Sequence, residues 1–250
     1  MHVCIPSKGR PTTAAYKLLQ AVNIPFTIFV EPQDIIAYNA AAVPNLHPLP
    51  ANNKGIAYVR NYIIDWARQS KIEWIWMMDD DVSGFGTAKA GKTIKGDANV
   101  LAQIHQRVAP LKFPVNGMNY CQYAWSYSTK PTRFTVNKRP AEVCTLLYIP
   151  KITWQYRARL NLKEDRDFCM QSVQHSDGII IDLFSWFNCP GVGTNPGGLQ
   201  DLYRQQRDHE AAAKLAKEWE PFTKLIKKKD RVDCKLDIAA YAKSLGRAVK

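Results

Sequence analysis

The 250-residue chain has no C-x-x-C pair, no internal repeat, no low-complexity tract and no apolar run of membrane-spanning length. Its six cysteines, Cys4, Cys121, Cys144, Cys169, Cys189 and Cys234, are scattered singly. That spacing argues against a zinc site and fits reduced thiols in a cytosol. A bilayer span needs ~20 consecutive apolar residues, so no membrane role is expected. The opening MHVCIPSKGRP lacks the apolar stretch of a secretory signal, and a cytoplasmic location is expected. Acids are also scarce: 22 Asp and Glu stand against 34 Lys and Arg, for a net charge of +12. Such an excess attracts polyanions, either nucleic acid or an anionic membrane surface, unless it is merely a solvated basic surface. Seven Trp and eleven Tyr supply stacking surfaces, although most of those rings belong in a core.

The chain is organised around Glu73–Val82, EWIWMMDDDV. The apolar run from Trp74 to Met78 is too short for an ordinary helix and suits a strand buried on both faces. It ends in Asp79, Asp80 and Asp81. In an extended chain, Asp79 and Asp81 point to one side and Asp80 to the other. Three carboxylates at a strand end repel one another unless a cation sits there, and a divalent metal with oxygen ligands is a natural partner. A solvated acidic turn or a helix N-cap is the bland alternative.

Around this strand the pattern is α/β. Val3–Pro6 and Phe26–Val30 read as strands joined by a helix carrying Ala15, Leu18, Leu19 and Val22, the start of a parallel sheet. Ser7-Lys8-Gly9-Arg10-Pro11 is a basic turn where backbone N–H groups can approach an anion. Gly55 opens a helix whose buried stripe is Ile56, Val59, Ile63 and Trp66 or Ala67, with Arg60 and Asn61 at its edge. Residues 83–99 read as a basic loop over the site or a solvated hairpin. Gly86–Thr93 matches GxxxxGK[ST], yet the preceding strand already ends in aspartates, so a P-loop is not expected. Met118–Ser126, Glu142–Ile149 and Ile179–Phe184 read as strands, and Thr129–Arg139 as a hairpin tip. Lys151–Leu162 interleaves Trp154, Tyr156, Arg157 and Arg159, a mixture suited to nucleic acid or to an ordinary amphipathic surface. Lys163–Gln174 turns helical after Glu164, Asp165 and Asp167, acids that also complement a helix dipole. Leu199–Lys217 and Asp233–Arg247 read as helices, and Lys227-Lys228-Lys229 as a cationic run. The expected division is a catalytic domain over 1–190 and a glycine-rich break with a basic helical segment over 191–250.

Ile5–Pro11, Val59-Arg60-Asn61, Asp79-Asp80-Asp81 and Glu164-Asp165 together resemble GT-A glycosyltransferases. IPSKGRP, GIAYVRN, DDDV and KEDRDF more narrowly resemble the TET-associated glycosyltransferase family of bacteriophages. The resemblance implies a GT-A-like, Rossmann-like mixed and mainly parallel sheet flanked by helices, with a helical C-terminal appendage. It implies transfer of a sugar from a nucleotide-sugar, UDP-sugar favoured, to a 5-hydroxymethylpyrimidine of phage DNA, 5-hydroxymethylcytosine favoured. Mn2+ or Mg2+ would sit on Asp81 and Asp79, with His175 or His209 as candidates for a third ligand or else plain surface residues. Pro6, Ser7, Lys8, Arg10, Arg60, Asn61, Asp79 and Asp80 would hold the donor. Asp165, with Glu164 second, matches the catalytic base. Candidate DNA contacts are Lys130, Arg133, Lys138, Arg139, Arg157, Arg159, Lys227, Lys228 and Lys229. A protein or polysaccharide acceptor and a non-catalytic DNA-binding protein are the rival readings.

Overall fold

The computed structural model describes residues 1–191, 198, 207–228 and 231–250. In chain order the main elements are β1 (His2–Ser7), α1 (Ala15–Gln20), β2 (Phe26–Val30), α2 (Ile35–Ala40), β3 (Leu46–Pro48), α3 (Ile56–Gln69) and β4 (Trp74–Met78). There follow β5 (Gly84–Lys89), β6 (Lys92–Gly96), α4 (Asn99–Val108), β7 (Val115–Tyr120), α5 (Cys121–Tyr127), β8 (Phe134–Val136), β9 (Cys144–Tyr148), α6 (Glu164–His175) and β10 (Ile179–Asn188). The C-terminal part adds α7 (Arg207–Glu218), β11 (Thr223–Lys228), β12 (Arg231–Leu236) and α8 (Ile238–Ser244).

Ten strands form one sheet in the order β3-β2-β1-β4-β9-β7-β10-β5-β6, with β8 beside β10. The pairings β1 with β2, β1 with β4, β2 with β3 and β7 with β10 are parallel. Strand β9 runs antiparallel between β4 and β7, and β5 and β8 run antiparallel to β10. Seven strands therefore share one direction, giving a mixed, mainly parallel α/β sheet of Rossmann-like kind. Every residue of β4 is buried, as its unbroken apolar run requires when helices cover both faces. On one face α3 packs Val59, Ile63, Ile64 and Ala67 into a core shared with α6, and burial of each Val or Ile side chain is worth about 1.5–3 kcal/mol. Ala212, Leu215, Trp219, Ile238 and Tyr241 of the C-terminal part enter that same core. The other face buries Leu19, Tyr38, Trp76, Leu101 and Ile104.

Three local expectations are corrected, and one open choice is settled. The segment 83–99 takes the hairpin of its two readings, joined to the main sheet through β10. Its P-loop match belongs to that hairpin. Ala90 (φ 49°) and Gly91 (φ 79°) form the tight turn, as a two-residue hairpin with positive φ at both positions requires. Gly86 is glycine because a Cβ there would lie 2.2 Å from the Trp186 ring and from the Ile94 carbonyl. The strand expected to Ser126 stops at Tyr120, where the chain turns into α5. Thr129–Arg139 is not a hairpin tip, because Phe134–Val136 lies along β10 as β8. In the C-terminal appendage, the residues around Lys227 and the first residues of the expected 233–247 helix form the β11–β12 hairpin, so the appendage is not helical throughout. Among the described residues no helix is long and apolar enough to cross a membrane.

Candidate active site

The carboxyl ends of β1 and β4, the start of α3 and the first turn of α6 meet around a cavity of about 270 Å3. Ligands of open α/β sheets gather on this rim. Pro6, Ser7, Lys8, Arg10, Arg60, Asp79, Asp80, Asp81, Glu164 and Asp165 all line it.

The chain leaves the extended conformation after Met78, so the three aspartates are held differently. Asp80 is nearly buried. It accepts hydrogen bonds from Ser7 Oγ and Arg10 Nη1, both at 2.6 Å. The Tyr38 hydroxyl accepts from the Arg10 backbone N–H at 2.9 Å and lies 2.6 Å from Ser7 Oγ. Asp80 thus ties the turn after β1 to the end of β4. Asp79 accepts from Arg60 Nη2 at 2.9 Å and keeps 33% of its side chain exposed. Asp81, 26% exposed, lies 3.6 Å from Arg10 Nη1. Burial pushes the Asp79 carboxyl up, Arg60 pulls it down, and the charge of Asp81 pushes it up again. Lys8 bonds Asn53 at 2.6 Å and pairs with Glu31 at 2.9 Å.

Arg60 bridges the two halves of the cleft. Its guanidinium meets Asp79 at the end of β4 and Glu164 Oε1 at the start of α6, each at 2.9 Å. Glu164 Oε2 is buried without a partner. Burial lifts the Glu164 carboxyl from 4.5 to about 7, against the pull of Arg60 and with the Asp165 charge adding to the rise. The folded protein therefore binds this proton more tightly than the unfolded chain does. Stability from it is full below about 4.5 and lost as pH rises through about 7. Urea denaturation should show stability falling across that window, and Glu164→Gln, which mimics the protonated acid, should flatten the fall; an unchanged slope would clear Glu164 of this role. Asp165 is half-buried on the cavity wall, with Oδ1 accepting from the Arg166 backbone N–H at 2.7 Å.

Asp79 and Asp81 offer hard oxygen donors at the cavity surface. Among the described residues no group of three or more His, Cys, Asp and Glu could hold a metal alone. A Mg2+-like ion takes one or two carboxylates and completes its shell with water and substrate phosphates, which these two residues fit. Neither His175, whose ring centroid is 6.0 Å from that of Trp154, nor His209 on α7 lines the cavity.

A model of the TET-associated glycosyltransferase family matches residues 1–194. The chain belongs to that family. No curated protein matches it in sequence. Among solved structures it is similar to the "Crystal Structure of A197 from STIV", at 15% identity and a TM-score of 0.41, over 72% of this chain and 80% of that one.

Several expected contacts of this TET-associated glycosyltransferase fall elsewhere. Asn61 points away from the cleft, exchanging hydrogen bonds of 2.9 and 2.8 Å with the Tyr156 backbone. Trp154 and Tyr156 are buried in the core, so they offer no stacking face. Arg157 is drawn to Asp167 and Glu218, and Arg159 to Glu218. Arg133 serves Asp182 at 3.0 Å, while Arg139 donates to Asn119 at 2.7 Å and lies over the Tyr127 ring. Arg133, Arg139 and Arg157 are thus engaged within the fold, Arg159 is exposed in a surface ion pair, and Lys130, Lys138 and Lys227 are exposed. The Lys228 side chain and all of Lys229 lie outside the described residues.

The cleft also contains residues that sequence reading passed over, among them Glu31, Tyr120, Glu142 and Arg166. Glu31 carried a signal, as an acid ending a strand before a proline. Glu142 carried none, because only the antiparallel course of β9 brings the start of that strand to the rim where β4 ends. Arg166 Nε donates to Glu142 at 2.5 Å and its Nη1 to Asp233 at 2.8 Å, which ties the cleft wall to the C-terminal hairpin.

Proposed function

We propose that this glycosyltransferase transfers a sugar from a nucleotide-sugar, UDP-sugar favoured, to the hydroxymethyl group of a 5-hydroxymethylpyrimidine in DNA, 5-hydroxymethylcytosine favoured. The observation carrying the reading is that Asp79, Asp81 and Asp165 open onto one cavity at the carboxyl rim of the sheet in a chain of net charge +12. Asp81 and Asp79 would hold Mn2+ or Mg2+, which when bound supplies positive charge to offset the departing diphosphate. Ser7, Lys8 and Arg10 form the wall on which the nucleotide lies, and Arg60 keeps Asp79 oriented toward it. Asp165 faces the acceptor. In an inverting transfer it takes the proton of the acceptor hydroxyl, and in a retaining one it positions that hydroxyl. The proposed setting is the cytoplasm of an infected bacterial host.

Mass spectrometry of nucleosides from hydroxymethylated DNA, incubated with the enzyme, Mn2+ and a panel of nucleotide-sugars, tests this directly. One added sugar on 5-hydroxymethylcytosine is expected, abolished by EDTA and in Asp81→Ala. Calorimetry should show Asp81→Ala folded but without Mn2+-dependent UDP binding. Transfer to a protein or polysaccharide and none to DNA would replace the acceptor. Unchanged UDP and Mn2+ binding in Asp81→Ala would remove the metal clamp.

A further inference from the structure

Positive charge is unevenly distributed along this chain. Between Val82 and Ala141 there are nine Lys and Arg against one acid, Asp97. Six of those cations, Lys89, Lys92, Lys95, Lys112, Lys130 and Lys138, are exposed, and none has a carboxylate partner among the described residues. The fold draws three of these, Lys89, Lys92 and Lys130, to one corner. The Gly91 backbone N–H at the β5–β6 turn donates to Ser128 Oγ at 2.9 Å, so Lys89 and Lys92 beside the turn come near Lys130 beyond α5.

Helix α5 joins that corner to the cleft. Its Ala124 is buried against Ala88 and Trp186, which fixes the inner side of the helix. Residues next to a buried helical position fall on either flank, and here those are Tyr123, 49% exposed, and Trp125, 53% exposed. The indole N–H of Trp125 is satisfied by the Gln122 carbonyl at 3.0 Å, so what the ring shows to solvent is apolar surface. At the other end, Tyr120 lines the cleft and its ring lies edge-on to Tyr123 at 6.4 Å. A path therefore runs from a lysine corner, past two exposed rings, to the cavity wall.

We infer that the face formed by α5 and the β5–β6 hairpin binds a single DNA strand and leads an unpaired acceptor base into the cleft. The inference rests on the DNA-acceptor reading above. Lysines without carboxylate partners complement phosphates, and exposed ring faces stack only on bases freed from pairing. Duplex DNA would leave the rings without partners, and an acidic protein would not need them.

A labelled single-stranded oligothymidylate provides the probe. Trp125 is the one exposed tryptophan of the seven, Trp66 being partly buried and the rest buried, so strand binding should quench part of the emission, and Trp125→Phe should remove most of that quench. Trp125→Ala and Tyr123→Ala should each weaken strand affinity on the order of tenfold. Lys89→Ala, Lys92→Ala and Lys130→Ala combined should flatten the log affinity–log salt slope by roughly 2, at about 0.7 per phosphate contact on single strands. UDP affinity should be unchanged in all of them, which also reports a folded cleft. Wild-type strand binding with unaltered slope and affinity in the variants would overturn this surface while leaving the DNA reading for another face. Wild-type binding to duplex but not to single strands would likewise overturn this surface alone, and absence of binding to either at low salt would overturn both.

Discussion

Asp165→Asn should lose about 10²–10⁴-fold of sugar transfer while keeping its affinity for UDP, if Asp165 serves as a general base. The asparagine preserves the shape of the side chain and an oxygen able to accept from the Arg166 backbone, so the first turn of α6 should persist. What disappears is the capacity to receive a proton. Glu164 cannot easily substitute: one of its oxygens is bound by Arg60 and the other is buried without a partner. Steady-state kinetics with calorimetry of UDP binding would separate the two effects. Near-normal turnover in Asp165→Asn combined with a dead Glu164→Gln would move the base to Glu164.

The strand ending in three aspartates was legible because an unbroken apolar run has few uses other than a buried strand, and carboxylates at its end need a reason. Alternation also separated Asp80 from Asp79, and the structure ties them to different partners, Arg10 with Ser7 and Arg60. Alternation stops being a guide beyond Met78, where the strand ends and the turn brings all three aspartates to the one cavity. The ion pairs of the arginines were not legible. Composition cannot tell a cation facing solvent from one serving a buried carboxylate: Arg157 is held by Asp167, ten residues away, but also by Glu218, in a helix beyond the glycine-rich segment. Asn61 failed for a related reason. Its neighbour Arg60 faces the cleft, and one step along a helix rotates a side chain by about 100° toward a different neighbour. The exposed rings of α5 were not legible because Tyr123 and Trp125 sit in a stretch that reads as a strand continuing from Met118.

Arg60→Met should destabilise the protein by about 3–5 kcal/mol, the usual cost of removing one partner of a buried ion pair. At ~2–4 °C per kcal/mol for a chain of this size, Tm should fall by roughly 6–20 °C. Methionine retains much of the volume and apolar stem, so the loss reports charge more than a cavity. Two carboxylates lose their shared cation, and they respond differently. Asp79, one third exposed, regains water, whereas Glu164 is nearly buried. Since burial already lifts Glu164 to about 7, it can escape the penalty by holding its proton at low pH. The destabilisation should therefore be smaller at pH 5 than at pH 8, and Arg60→Met combined with Glu164→Gln should be more stable at pH 8 than Arg60→Met alone. Arg60→Lys should recover only part of the loss, because a single ammonium cannot reach both carboxylates as a planar guanidinium does. Urea denaturation of the four proteins at the two pH values decides the matter. Equal losses at pH 5 and pH 8, or no relief from Glu164→Gln, would show that Arg60 stabilises the protein through packing against Tyr156, over whose ring it lies at 5.5 Å, rather than by joining the two sides of the cleft.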